Sequence, residues 1–118
     1  MAIYELTLDW DIQYEDMVKS VSWNILKKYV KDLKAHNDYV EVYRRRSSSG
    51  NTHIKLRYDY ELSTMKIYQL RALLRDDIYR LRLDLIRDYN DDETNRLWDF
   101  KIKNGEILVA SDWERVEV

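Results

Sequence analysis

The chain has 118 residues, of which 45% are hydrophobic and 36% charged, and its formal net charge is −2. This length and composition are typical of a folded chain with one core, so we interpret residues 1–118 as a single domain. The near-neutral charge excludes a general attraction to nucleic acid, which would have to depend on a local patch. The absence of cysteine excludes disulfides, thiolate metal sites and a cysteine nucleophile.

The sequence also indicates where the protein works. No apolar segment is long enough to span a bilayer, and the N-terminal "MAIYELTLDW" lacks the pattern of a signal peptide. We therefore expect a cytoplasmic, intracellular protein that does not bind a membrane. Ten tyrosines and the high share of Glu, Lys and Arg are typical of a thermophile's chain.

A strand and a long helix are the first predicted elements. Residues 3–12 alternate between apolar and polar side chains, which indicates a half-buried strand with Asp9 and Asp11 on its polar side. Residues 14–35 have apolar side chains at three- and four-residue steps, which predicts an amphipathic helix. Its expected apolar face consists of Val18, Val21, Ile25, Tyr29 and Leu33.

Two further strands are predicted at 39–46 and 52–62, joined by the small-residue loop "SSSGN". Gly50 in this loop is free to take a positive φ, as a hairpin turn requires. In the second of these strands the side chains alternate again. Ile54, Leu56, Tyr58 and Tyr60 are expected to face the core, and His53, Lys55, Arg57 and Asp59 to face the other side.

The second half of the chain begins with Ser63 as the expected N-cap of a helix over 64–75, with Ile67, Leu70, Leu73 and Leu74 inward. The stretch "YRLRLDLIR" (79–87) suits either a continuing helix or a strand, and we favour a strand because Leu81, Leu83 and Leu85 alternate with polar residues. The segment 88–95 is a polar loop. Residues 97–111 read as a hairpin around Asn104-Gly105.

This order of elements predicts an α+β fold of the ferredoxin-like or RNA-recognition-motif (RRM-like) type, β-α-β-β-α-β, with an added C-terminal β-hairpin. In that topology both helices cover one face of the sheet and the first strand is central. The polar side chains of three strands then share the other face. They are Asp9 and Asp11, His53, Lys55 and Arg57, and Arg82 and Asp84.

Three carboxylates on adjacent strands are suited to Mg²⁺ or Mn²⁺, which prefer oxygen ligands and keep positions open for water or phosphate. A histidine and cations beside them are suited to the phosphates of a nucleotide. The alternative is a solvated sheet face with cross-strand ion pairs. In that interpretation the serine loop is an ordinary hairpin, and Arg44-Arg45-Arg46 is a solvated strand end.

In these residues the chain resembles the archaeo-eukaryotic primase and primase-polymerase superfamily. That family has three short motifs, and each has a counterpart in the same order. Hydrophobic-Asp-hydrophobic-Asp corresponds to residues 8–11, Ser-Gly-x-x-His to residues 49–53, and hydrophobic-Asp to residues 83–84. Asp99 in "LWDF" competes with Asp84 for the third position. Arg96 and Lys103 loosely resemble a later arginine and lysine-glycine pattern.

The resemblance implies a metal-dependent nucleotidyltransferase core in DNA replication that uses Mg²⁺ or Mn²⁺ and binds a nucleoside triphosphate or nucleic acid. Asp9, Asp11 and Asp84 would be the catalytic metal ligands. Phosphate would be bound by Ser49, Gly50, His53, Lys55 and Arg82. The size fits a minimal or degenerate core of the kind an archaeal virus or plasmid would carry, working in the host cytoplasm if viral.

Three alternatives remain open. Rolling-circle replication initiators share the fold, but their second motif histidine is Lys55 here, the other histidine is His36, and Tyr68 or Tyr79 would be the nucleophile. An RNA-recognition module without catalysis needs exposed aromatic residues, whereas Tyr58 and Tyr60 are expected in the core. The third alternative is an interaction protein, with a homodimer formed through an edge strand or the terminal hairpin.

Overall fold

The structure is a computed structural model that describes residues 2–87 and 94–118. It confirms an α+β fold with an antiparallel sheet, helices and a C-terminal hairpin. A 3-10 helix, Tyr14–Lys19, follows the first strand. The other elements are β1 (Glu5–Gln13), α1 (Val21–Ala35), β2 (Val40–Arg46), β3 (Asn51–Tyr58), α2 (Thr64–Leu73), α3 (Ile78–Ile86), β4 (Phe100–Lys103), β5 (Glu106–Val109) and β6 (Glu114–Val116).

Four strands form one antiparallel sheet in the order β1-β3-β2-β6, and β4 and β5 form a separate hairpin. Because directly paired residues point to the same side of a sheet, Leu6, Leu56, Val42 and Val116 form one apolar row across it. This row packs against the helices and places the core between the two layers. The helical residues buried in the same cluster are Trp23, Leu26, Val30, Ile67, Leu70 and Leu74.

The alternation predicted for β1 and β3 is confirmed on the core side, although Tyr60 lies beyond the end of β3 and is exposed. The predicted helix 14–35 divides into the 3-10 helix and α1, because the Ser20 hydroxyl accepts a hydrogen bond from the Trp23 amide and caps α1 at that point. The expected apolar face is wrong at Val18 and Val21, which are exposed.

The predicted turns and the second helix are confirmed in most details. Ser63 caps α2 by accepting a hydrogen bond from the Lys66 amide, although Leu73 is exposed rather than inward. Gly50 has a φ of 90°, and Asn104 and Gly105 turn the β4–β5 hairpin with φ values of 52° and 78°. Residues 88–93 of the predicted loop at 88–95 lie outside the described residues.

The predicted strand at 79–87 is wrong, because these residues form α3. Its N-cap is Asp77, whose carboxylate accepts hydrogen bonds from the amides of Tyr79 and Arg80. The leucines that suggested a strand are not a buried face, since Leu83 is 53% and Leu85 58% exposed. The residues that α3 buries are Leu81 and Asp84, which are spaced as a helix requires.

The central position expected for the first strand is therefore not observed. With α3 in place of a strand, β1 pairs only with β3 among the described residues and lies at an edge of the sheet. The opposite edge is formed by β6 beside β2. Within residues 2–87 and 94–118, no helix has both the length and the apolar character needed to cross a membrane.

Candidate functional site

A cavity of about 580 Å³ lies beside the polar face of β1 and β3. Four parts of the chain line it: the sheet, the loop before β3, the helix α3 and the segment 96–101. The lining residues are Asp9, Asp11, Ser47, Ser48, Ser49, Asn51, His53, Asp77, Arg80, Leu83, Asp84, Arg87, Arg96, Leu97, Trp98, Phe100 and Lys101.

Asp9 and His53, which line this cavity, belong to a row of three polar side chains across the sheet. His53 is paired with Asp9 of β1 on one side and with Arg45 of β2 on the other, so the three side chains share a face. The His53 Nε2 atom lies 3.8 Å from a carboxylate oxygen of Asp9. The expectation that Asp9 and His53 meet on one face is confirmed.

His53 is neutral and acts as a hydrogen-bond donor toward the cavity. Its Nδ1 atom accepts a hydrogen bond from Arg45 Nε at 3.0 Å, which leaves the ring proton on Nε2. Burial, with the nearby charges of Arg45 and Arg80, lowers the pKa of His53 to about 4. Because Arg45 occupies Nδ1, Nε2 presents a proton rather than a lone pair for a metal.

Arg45 is the buried support of His53, and the sequence interpretation as a solvated strand end is wrong for this residue. Its guanidinium donates to Asp99 at 2.8 Å and to the Trp98 carbonyl at 3.3 Å, and it lies 4.4 Å from the centre of the Trp113 ring. The register of the short β2–β3 hairpin is the sequence signal that could have placed Arg45 next to His53.

Asp9 and Asp11 are the two carboxylates of β1 that line the cavity. Burial is the main cause that raises the pKa of Asp9 to about 6, and the carboxylates of Asp76, Asp77 and Asp11 add to it while Arg80 opposes it. Asp11 is exposed and accepts a hydrogen bond from the Asn51 side chain at 3.0 Å. A bound cation would reduce the electrostatic repulsion among these carboxylates.

Asp84 lies at the same cavity but its carboxylate is already engaged. Its Oδ2 atom accepts hydrogen bonds from Arg71 Nη1 at 2.7 Å and from the Asn95 amide at 3.0 Å. The strand that was expected to place Asp84 beside Asp9 does not exist, and α3 brings it to the cavity instead. Asp99, its competitor for the third motif, pairs with Arg45.

Asp76 connects α3 to the site, and sequence reasoning missed it. Its carboxylate accepts hydrogen bonds from the Asp9 amide at 2.8 Å, from Arg71 at 2.7 Å and from Arg80 at 2.9 Å. Arg80 also donates to the carbonyl and the hydroxyl of Thr7. These bonds fasten the start of α3 to β1 beside Asp9.

The serine loop is shaped by its own hydrogen bonds. The Ser47 hydroxyl accepts from the Asn51 amide at 3.0 Å, and the Ser47 carbonyl accepts from the Gly50 amide at 3.0 Å. The turn places Ser47, Ser48 and Ser49 along the cavity, with Gly50 bending the backbone behind them.

Three of the predicted phosphate-binding residues, Gly50, Lys55 and Arg82, are not among the residues that line the cavity. Lys55 lies 4.5 Å from the Trp113 ring centre and 5.1 Å from that of Tyr43. Arg82 is exposed on α3 and is not among the lining residues. The cations that do line the cavity are Arg80, Arg87, Arg96 and Lys101, whereas Lys103 does not.

The cavity offers few protein ligands to a divalent ion, as is common at Mg²⁺ sites. Within residues 2–87 and 94–118, no three His, Cys, Asp or Glu side chains are grouped as a complete protein-made metal site. Asp9 and Asp11 nevertheless offer two carboxylates at one wall. Mg²⁺ is often bound by one or two carboxylates, with water and phosphate oxygens completing its six ligands.

The residues expected for a rolling-circle initiator are scattered. The His36 ring contacts the Asp32 carbonyl at the end of α1, and the Tyr68 hydroxyl donates to the Asp84 carbonyl. Tyr79 is exposed on α3. His36, Tyr68 and Tyr79 are not among the described residues that line the cavity.

Comparison of the chain with protein-family models, with curated proteins and with solved structures finds no match.

Proposed function

We propose that this cavity binds a nucleoside triphosphate together with Mg²⁺ or Mn²⁺, and that the protein is a nucleotidyltransferase core of the primase-polymerase type. The observation that carries the proposal is one cavity lined by Asp9, Asp11, His53 and the Ser47–Asn51 loop. They include Asp9, Asp11, Ser49 and His53, which belong to the first two motifs on which the resemblance rests. Their convergence was expected from the sequence alone.

The donors of the cavity suit a phosphate group. His53 offers a fixed Nε2 proton, and the three serines of the loop offer hydroxyl groups. Arg87, Arg96 and Lys101 add positive charge. Neutral donors beside cations are a common way for proteins to hold a triphosphate, since its oxygens accept hydrogen bonds in many directions.

Asp9 and Asp11 would hold the metal, which when bound supplies positive charge to the triphosphate. In the proposed reaction the oxygen of a primer 3′-hydroxyl forms a bond to the α-phosphorus, and the bond from that phosphorus to pyrophosphate breaks. The hydroxyl proton passes to solvent. His53 and the serine loop orient the leaving phosphates.

The second candidate is nucleotide or nucleic-acid binding without transfer. It is favoured by Asp84, whose carboxylate is held by Arg71 rather than free beside Asp9. The proposed kinship with ferredoxin-like cores is also limited to β1, α1, β2 and β3, whose order agrees with the first half of that topology. A relict core would keep the binding cavity and lose the third carboxylate.

Calorimetric titration of Mn²⁺ and ATP tests the binding proposal. We expect the double variant Asp9→Asn/Asp11→Asn to lose roughly 10-fold or more in affinity. Asp59→Asn is the matched control, because Asp59 is an exposed carboxylate outside the cavity, and we expect a change of less than about twofold. Equal affinity in the wild type and the double variant would overturn the proposal.

Extension of a labelled primer separates the two candidates. Metal-dependent extension that is lost in the double variant supports the transferase. Tight nucleotide binding without extension supports the second candidate.

A further inference from the structure

We infer that the segment 96–101 is a base-binding wall, on which an unpaired nucleobase stacks against Trp98 while its phosphates enter the cavity. This inference rests on the nucleotide-binding function proposed above. It assigns a contact to the nucleobase, which is the part of the ligand that the carboxylates, the serines and His53 would not touch. The site it assigns was not predicted from any sequence motif.

Two exposed aromatic rings line the cavity in this segment. Trp98 is 67% exposed and Phe100 is 53% exposed, although both side chains are large and apolar. Rings of this size are usually buried, and an exposed one beside a polar cavity gains most from a flat, apolar partner. A nucleobase has that shape, since every base offers a π-face.

The backbone that carries Trp98 is held in place before any ligand arrives. The Trp98 carbonyl and the Asp99 carboxylate both accept hydrogen bonds from Arg45. Arg45 also donates to His53, so one guanidinium fixes the ring-bearing segment and the phosphate-facing histidine relative to each other. A ligand that contacts both therefore finds them already oriented.

Cations on the Trp98 side of the cavity suit the phosphates that a base carries. The Arg96 guanidinium lies 5.8 Å from the centre of the Trp98 ring, and Lys101 and Arg87 line the same cavity. An aromatic ring with a cation beside it is complementary to a base that carries phosphate, and it is a poor match for an uncharged apolar ligand.

The base could belong to an incoming nucleotide or to a single strand of nucleic acid. Their shared chemistry is an unpaired base linked to phosphate, and stacking on Trp98 accepts any base. We therefore expect little preference among the four bases.

Calorimetry with Mg²⁺ and three probes tests the inference: tripolyphosphate, ATP and a short oligothymidylate. We expect ATP to bind the wild type roughly 10-fold more tightly than tripolyphosphate, because only ATP has a base to stack. Trp98→Ala should abolish this difference and leave tripolyphosphate affinity unchanged. Trp98→Phe, which keeps a ring, should retain most of it.

The probes also identify the source of the base. A loss in Trp98→Ala confined to ATP assigns the wall to the incoming nucleotide, and a loss confined to oligothymidylate assigns it to a strand. Unchanged affinity of Trp98→Ala for both would overturn the inference and leave the proposed function intact. A wild type that binds none of the three probes would overturn both.

Discussion

Asp9 and His53 lie side by side, but their surroundings disfavour the charged form of each. The pKa of Asp9 is raised to about 6 and that of His53 is lowered to about 4. Between these values both groups are neutral, above them Asp9 alone is charged, and below them His53 alone is charged. Their 3.8 Å contact is therefore better described as a contact between a carboxyl group and a neutral imidazole than as an ion pair.

The two shifts have opposite effects on stability. Asp9 ionises in the unfolded chain near pH 3.8 but in the folded chain only near 6, so its contribution to stability falls as the pH rises between these values. His53 becomes charged in the unfolded chain below pH 6.5 but in the folded chain only below about 4. Its contribution to stability therefore increases as the pH rises through nearly the same range.

We expect single variants to expose these opposing slopes. Relative to wild type, Asp9→Asn should gain stability between pH 4 and 6 by up to ~2 kcal/mol, a value reduced for solvent screening because the Asp9 side chain is 35% exposed. His53→Gln should instead lose stability relative to wild type by ~3 kcal/mol over the same rise in pH. Urea unfolding from pH 4 to 7 measures both.

Asp59→Asn is the control and should run parallel to the wild type. If the stability of all three variants changed with pH in parallel with the wild type, the pKa shifts of Asp9 and His53 would be contradicted.

Arg71 is fully buried between Asp76 and Asp84, with both contacts at 2.7 Å. Arg71→Leu would leave two buried carboxylates without this partner, and we expect the free energy of unfolding to fall by ~3–5 kcal/mol. Arg82→Ala, an exposed arginine on α3, should change it by less than ~0.5 kcal/mol. Urea unfolding at pH 7 compares the two, and similar losses would refute the structural role of Arg71.

The helix α3 has the alternating sequence that is typical of a strand. Leu81, Leu83 and Leu85 alternate strictly, and alternation normally reports a buried strand face. Here two of the three leucines face solvent, so the alternation has no structural meaning. The information that decides the element is the cap at Asp77, two residues before the stretch 79–87.

We expect Asp77→Ala to destabilise the protein by about 1 kcal/mol, because the amides of Tyr79 and Arg80 lose their acceptor. Asp77→Asn keeps the cap and should be nearly neutral in urea unfolding. The same Asn variant should lower the pKa of Asp9, since the Asp77 carboxylate helps to raise it. An NMR titration of Asp9 measures this, and an unchanged pKa would count against their proximity.

The hairpin and the first strand were predictable because their determinants are local. Alternation placed Asp9 and His53, and Gly50 marked the turn that sets their register. Asp76 and Arg80 were not predictable, since nothing nearby in sequence indicates that they bond to β1. Contacts such as that between the Asp9 amide and Asp76, 67 residues apart, exist only once the helices have packed.

The strand β6 protects an edge of the sheet and supports the site. It covers β2, and Trp113 just before it packs on Arg45.

We expect removal of residues 113–118 to expose the edge of β2 and to lower the free energy of unfolding by more than ~2 kcal/mol. Light scattering should show aggregation that increases with concentration. Arg115→Ala, which keeps the strand, should stay soluble, and a monomeric truncated protein of normal stability would contradict this role.

The serine loop and its two strands lie within residues 40–58, whereas Thr7 reaches Asn95 across 88 residues. Local hairpins form within about 1–10 μs, and contacts between distant segments form later. We therefore expect the neutral donors for phosphate, the serine loop and His53, to assemble before the carboxylates of β1 and α3 pack beside them. We expect tripolyphosphate to speed refolding in stopped-flow experiments. An effect confined to slower unfolding would show that the donors assemble after the transition state and would contradict this order.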